Sequence, residues 1–176
     1  SASNYDDAIL WYQNNGNSKF TRRMITNATD GPWAIYAVDL DGDGDMDVIS
    51  ANENDHSLTW FNNNGHEKFN FHIITSQAWG VWSVYARDTD SDGDIDVVTT
   101  KENNSTITLY ENNGNENFTS YNVSSESNPL YYQNIFDANG DVDQDVFPIL
   151  TENNQILWYE NTDETNLRPH TINTPK

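Results

Sequence analysis

The 176 residues carry 28 acidic against 8 basic side chains, a formal net charge of -20 that disfavours nucleic acid and anionic membrane surfaces as partners. Cysteine is absent, which excludes disulfides, thiolate zinc sites and cysteine nucleophiles, and no apolar run approaches the roughly 20 residues of a membrane span. Aromatic residues at 12%, six of them tryptophan, are too many for a disordered acidic tail, so a folded core is expected.

Ser1-Ala2-Ser3-Asn4 has neither the basic nor the apolar segment of a secretory leader, so a processed form or a piece of a longer chain is expected. Set against itself at a shift of 49 residues, the chain aligns from end to end without a gap, as repeat architectures do. Trp33, Trp82 and Tyr131 open successive units. Trp11, Trp60, Leu109 and Trp158 recur in mid-unit, and Gly16, Gly65 and Gly114 follow five residues later. Ser1-Ala2 aligns with Ser50-Ala51, so residues 1–26 supply only the second half of a unit, and whole units span roughly 33–75, 82–124 and 131–173.

Each unit has the two-residue period of strands bounded by turn chemistry, and no stretch of about ten residues keeps a helical period. In the best-preserved copy the first strand runs near Val81 to Arg87 and the second from Ile95 to Thr99. A polar hairpin at Glu102-Asn103-Asn104 leads to the third strand, Thr106 to Tyr110, and Asn112-Asn113-Gly114 turns the chain into a fourth near Asn117 to Val123. The expected fold is all-β: a β-propeller of four-stranded antiparallel blades, three whole and one half, with a 49-residue repeat. Propellers close with about four to eight blades. This chain therefore reads as a fragment, as one member of a larger ring or as an open array, and further copies or segments completing the propeller are expected partners.

Between the first and second strands of each unit lies a run of alternating aspartates, and these three runs hold half of all the acidic residues. Such like charge repels itself unless a cation sits within it, and calcium takes six to eight oxygens at about 2.3–2.6 Å. In the first run the side chains of Asp39, Asp41, Asp43 and Asp47 are the expected ligands, with the backbone carbonyl of Asp45. In the second they are Asp88, Asp90, Asp92 and Asp96, with the carbonyl of Asp94. Gly44 and Gly93 occupy the sixth position, where the chain must turn sharply. The third run offers Asp137, Asn139, Asp141, Asp143 and Asp145, but Asn139 replaces a carboxylate and Val142 occupies the glycine position, so a weaker or absent ion is expected there. A helix-loop-helix calcium hand needs a glutamate at the twelfth position, and Ser50, Thr99 and Pro148 stand there instead.

The sequence Asp-Leu-Asp-Gly-Asp-Gly-Asp-Met-Asp-Val-Ile from Asp39, followed by Leu-Thr-Trp-Phe-Asn-Asn-Asn-Gly from Leu58 and Phe-Asn-Phe-His-Ile-Ile from Phe69, resembles the FG-GAP/VCBS repeat, the calcium-bearing blade of integrin-α-type propellers. The resemblance implies a propeller of seven or eight blades in the parent family, secreted or on the cell surface. It further implies adhesion, glycan recognition of the kind seen in some fungal propeller lectins, or service as an accessory domain beside an enzyme. Bound calcium would be structural, and the partner would be a protein or a glycan.

No nucleophile, base and orienting group stand in a catalytic spacing, so no catalytic residues are expected. His72 and His170 are equivalent in the repeat to Arg23 and Tyr121, which favours a surface role on the fourth strand. The periodic Trp33, Trp82, Trp11, Trp60 and Trp158 are expected to pack between blades. Trp79, Tyr132 and Tyr5 break the period and are better ligand candidates. Sequons at Asn27, Asn103, Asn104, Asn117 and Asn122 permit glycosylation, though so Asn-rich a chain nearly supplies that number by chance. The leading expectation is an extracellular calcium-binding propeller used for binding. The alternatives are an accessory module of a polysaccharide-active enzyme or a structural subunit of an extracellular filament.

Overall fold

The computed structural model describes residues 1–101, 106–125, 130–141, 144–150, 156–163 and 166–172. Among these every regular element is a strand. The first sheet comprises β1 (Ala2–Ser3), β2 (Ala8–Asn14) and β3 (Phe20–Thr26). The second comprises β4 (Pro32–Val38), β5 (Asp47–Asn52), β6 (Ser57–Asn63) and β7 (Phe69–Thr75). The third comprises β8 (Val81–Arg87), β9 (Asp96–Lys101), β10 (Thr106–Asn112) and β11 (Phe118–Ser125). The fourth comprises β12 (Leu130–Phe136), β13 (Asp145–Leu150), β14 (Ile156–Asp163) and β15 (Asn166–Ile172).

Neighbouring strands in each sheet are consecutive in the chain and antiparallel, because each connection is short enough only to turn back on itself. The hairpin at 102–104 lies outside the described residues. β8 lies against β4 and β12 against β8, so the first strands of the complete sheets line up along one side, and β4 meets β1, the equivalent of a second strand, as β8 meets β5. Alternation then sends one face of each sheet forward and the other back. Between the second and third sheets this buries Leu58, Trp60, Val84 and Val97, and between the third and fourth it buries Val98, Ile107, Leu157 and Tyr159.

The periodic tryptophans divide into two kinds. Trp60 is buried between sheets, as its spacing predicts. Trp33, on the first strand, remains 40% exposed and pairs with Trp82 at a ring-centroid distance of 4.3 Å. A rung of Tyr36 and Tyr85 at 4.6 Å also joins β4 to β8.

Adjacent sheets are also tied at their outer strands. Arg23 on β3 lies 3.8 Å from Glu67 beyond β6, and the equivalent His72 on β7 lies 4.0 Å from Glu116 beyond β10. The same histidine stacks on its cross-strand partner Trp60 at 4.7 Å, and His170 stacks on Trp158 at 4.7 Å. The position thus accepts a group that both covers the mid-unit aromatic and reaches a neighbour.

Candidate metal centre

The aspartate runs join the first two strands of each complete sheet, where β4 leads into β5, β8 into β9 and β12 into β13. The first two fold around their own carboxylates. Gly44 N–H donates to Asp39 Oδ2 at 3.0 Å, Asp43 N–H to Asp41 Oδ1 at 3.2 Å and Asp45 N–H to Asp43 Oδ1 at 2.8 Å. The second run repeats this with Gly93 to Asp88 Oδ2 at 3.1 Å, Asp92 to Asp90 Oδ1 at 3.1 Å and Asp94 to Asp92 Oδ1 at 2.8 Å. The turn requires left-handed backbone at the sixth position, where Gly44 has φ 94° and Gly93 has φ 98°. The fourth position is left-handed too, and there Gly42 is replaced by Ser91 at φ 66°.

One carboxylate oxygen each from Asp39, Asp41 and Asp43 lies within 4.8 Å of the others, and so do oxygens of Asp88, Asp90 and Asp96. Asp39 Oδ1 is buried without a hydrogen-bond partner, which is costly for an anionic oxygen unless a cation meets it. Burial and the charges of Asp96, Asp92 and Asp88 push the Asp90 carboxyl up to about 6. A wholly oxygen donor set of this charge fits a hard divalent ion, so the first two runs suit calcium in their chemistry.

The last aspartate of each run does something its neighbours do not. Asp47, Asp96 and Asp145 are fully buried. Oδ1 of each accepts the N–H near the end of the third strand: Asn63 at 2.7 Å, Asn112 at 2.8 Å and Asn161 at 2.9 Å. Oδ2 of each accepts the N–H of the run's second residue: Leu40 at 3.1 Å, Thr89 at 3.0 Å and Ala138 at 3.0 Å. Burial pushes the carboxyls of Asp47 and Asp96 up, and these hydrogen bonds pull them back. A third donor differs between copies. Trp60 Nε1 bonds Asp47 Oδ2 at 3.0 Å, whereas the second copy, with Leu109 there, uses Thr89 Oγ1 on Asp96 instead. The third copy has Ala138, and Trp158 Nε1 is buried without a partner.

Asp45 and Asp94, assigned through their carbonyls, turn their carboxylates onto Gly65 and Gly114 in the next hairpin, so closely that a Cβ at either glycine would collide. In the third run Gly140 N–H bonds Asp137 Oδ1 at 2.6 Å and Asp141 N–H bonds Asn139 Oδ1 at 3.0 Å. The Asn139 amide donates to Asp141 Oδ2 at 2.7 Å and to Glu160 Oε1 at 3.2 Å. With the neutral Asn139 amide in place of a carboxylate, this run offers a cation less charge than the first two, so it fits an ion less well. Asp143 lies outside the described residues.

One contributor escapes a reading of the aspartates alone. Asn62 on β6 donates to Asp41 Oδ2, and Glu160, its equivalent on β14, receives Asn139. The second copy has Glu111 there, and the 49-residue alignment could have singled out this position.

Successive four-stranded antiparallel sheets, each with an acidic loop between its first two strands, define a β-propeller-like module of repeated blades. A model of the FG-GAP-like repeat matches residues 1–50 and 39–99. The chain belongs to the FG-GAP repeat family. No curated protein matches it. Among solved structures it is similar to an Agrocybe aegerita lectin, described as specifically recognising non-reducing terminal N-acetylglucosamine, with a TM-score of 0.64 and 20% identity. The match covers 94% of this chain and 46% of the lectin chain, so the chain spans about half the length of that relative. At that identity the likeness speaks for the fold.

Proposed function

We propose that the chain is an extracellular binding module whose blades are stabilised by calcium at the first two aspartate runs and which recognises a glycan. The observation that carries the metal reading is Asp39 Oδ1, an anionic oxygen buried without a partner among converging carboxylates. The glycan reading is supported by the sugar recognition described for the lectin of similar fold. Calcium acts as scaffold here, holding the first strand of a blade to the second, and no catalytic step is assigned.

Calcium titration into chelated protein tests the metal reading. Two sites filled at 100 times their dissociation constants contribute about 5 kcal/mol, which raises the melting temperature of a chain this size by about 10 °C or more. An unchanged melt sinks it.

Assembly with further copies is a second reading. It is favoured by a run of rings across the fourth sheet: Phe136 to Phe147 at 4.5 Å, Phe147 to Trp158 at 6.2 Å and Trp158 to His170 at 4.7 Å, with Phe136 45% exposed. Leu157 and Tyr159 point back to the third sheet, so by alternation this stripe lies on the other face.

A further inference from the structure

The turns joining the second to the third strand of a sheet meet the connection leading to the next sheet, and two copies of this junction show what the fold needs and what it does not. In the first copy Asp7 holds a left-handed φ of 51°, its Oδ1 accepts Gly31 N–H at 3.0 Å and its carbonyl accepts Thr29 Oγ1 at 2.9 Å. Asp30 is bound as well, its Oδ1 accepting Asn54 Nδ2 at 3.0 Å. Asp7 thus closes the junction with hydrogen bonds, and Asp30 ties it to the corresponding turn of the second sheet.

At the equivalent positions, 49 residues on, stand His56 and Trp79. The backbone is kept: His56 has φ 57°, and its carbonyl accepts Ala78 N–H at 2.7 Å. The side chains have changed together. The His56 ring packs against Trp79 at 4.0 Å, tilted by 35°, its Nδ1 is buried without a hydrogen-bond partner, and Trp79 is left 62% exposed. A solvent-facing indole backed by a histidine ring replaces Asp30, which is hydrogen-bonded to Asn54, and the first junction forms without such a ring pair. Asp55, next to His56 in the chain, and Ser76 line a separate groove of about 530 Å³ between the first two sheets, where Phe71 and Ile73 are 64% and 57% exposed. That volume lies within the range of small-ligand sites, ~300–1,000 Å³.

We propose that Trp79, backed by His56, is a stacking platform for the apolar face of a neutral pyranose ring. Aromatic rings offer broad apolar contact with little side-chain freedom to lose, which suits a ligand that presents C–H groups on one face and hydroxyls at its rim. This rests on the glycan reading above.

The calcium-loaded full chain is applied to an array of neutral terminal pyranoses that includes N-acetylglucosamine and galactose. The strongest probe is then titrated against Trp79→Ala and against the double variant His56→Asp with Trp79→Asp, which copies the first junction. Loss of at least tenfold in affinity in both, with melting temperatures unchanged, is the expected result. Undiminished binding by Trp79→Ala overturns the platform and leaves the glycan reading standing. Binding to no sugar by the unaltered chain overturns both. A large fall in the melting temperature of the double variant shows the pair to be a folding device and overturns the proposal.

Discussion

Aspartates that look alike in the chain separate by their surroundings. Asp47 is fully buried and both of its oxygens accept protein hydrogen bonds, while Asp41 is exposed. Asp47→Asn would set an amide N–H against the N–H groups of Leu40 and Trp60, and should cost about 2–3 kcal/mol with or without calcium. Asp41→Asn should leave the metal-free stability within about 0.5 kcal/mol, as surface substitutions do, and lower calcium affinity instead. Urea denaturation in chelator, set beside calcium titration, distinguishes the two. The hairpin glycines offer a second comparison. Gly114 and Gly16 are both left-handed, at φ 72° and 79°, but a Cβ meets Asp94 at Gly114 and nothing at Gly16. Both alanine variants should lose about 1 kcal/mol or more to backbone strain, with the larger loss in Gly114→Ala, read from the urea midpoint. Asp90 adds a pH dependence. Its folded pKa of about 6 exceeds the unfolded value near 3.9, so the penalty of its charge is absent below pH ~4 and complete above pH ~6. The metal-free protein should lose stability across that interval as pH rises. The gap in melting temperature between calcium-loaded and chelated protein should widen accordingly.

At the scale of the element, the repeat exchanges partners in pairs. Leu40 goes with Trp60, whose indole donates to Asp47, and Thr89 goes with Leu109, where the threonine hydroxyl donates to Asp96. Each solution supplies the carboxylate with one side-chain donor besides its two backbone donors. Trp60→Leu should therefore destabilise the second sheet by about 3–5 kcal/mol through lost packing and the lost donor. Adding Leu40→Thr should recover about 1 kcal/mol of it, which a double-mutant cycle in thermal unfolding would read as favourable coupling. Fourth-strand residues exchange likewise: His72 and His170 stack on tryptophans, and where Leu109 replaces tryptophan its cross-strand partner is Tyr121. At His72 and His170 the ring thus covers an indole while a ring nitrogen reaches Glu116 or Glu160.

Over the whole molecule, each sheet buries its faces only against neighbours, so stability is shared between blades and their interfaces. The third aspartate run has exchanged a converging carboxylate for the Asn139 amide, while Asp145 keeps its two backbone donors. The clip is kept where the converging carboxylates have changed, so clipping is the more general need of the fold. The aromatic stripe on the fourth sheet should make the chain associate through that face. Sedimentation over a range of concentrations should show assembly that Phe136→Ser weakens, and a concentration-independent monomer would exclude it.

The 49-residue alignment and the two-residue period were enough, by themselves, to place the strands, the turns and the three acidic runs, because these depend on local chemistry: alternation, glycine where φ is positive, and clustered like charge. The third strand near Thr106 to Tyr110 and the sixth-position glycines are where such reading succeeds. The division of labour within each run was decided only in three dimensions. Burial makes Asp47 a clip rather than an exposed carboxylate, and that burial comes from β6 crossing over the loop, with Trp60 and Asn63 brought to it from 13 and 16 residues away. The exposure of Trp33 and the backing of Trp79 by His56 were likewise invisible along the chain, since each depends on which neighbouring strand or turn covers the ring.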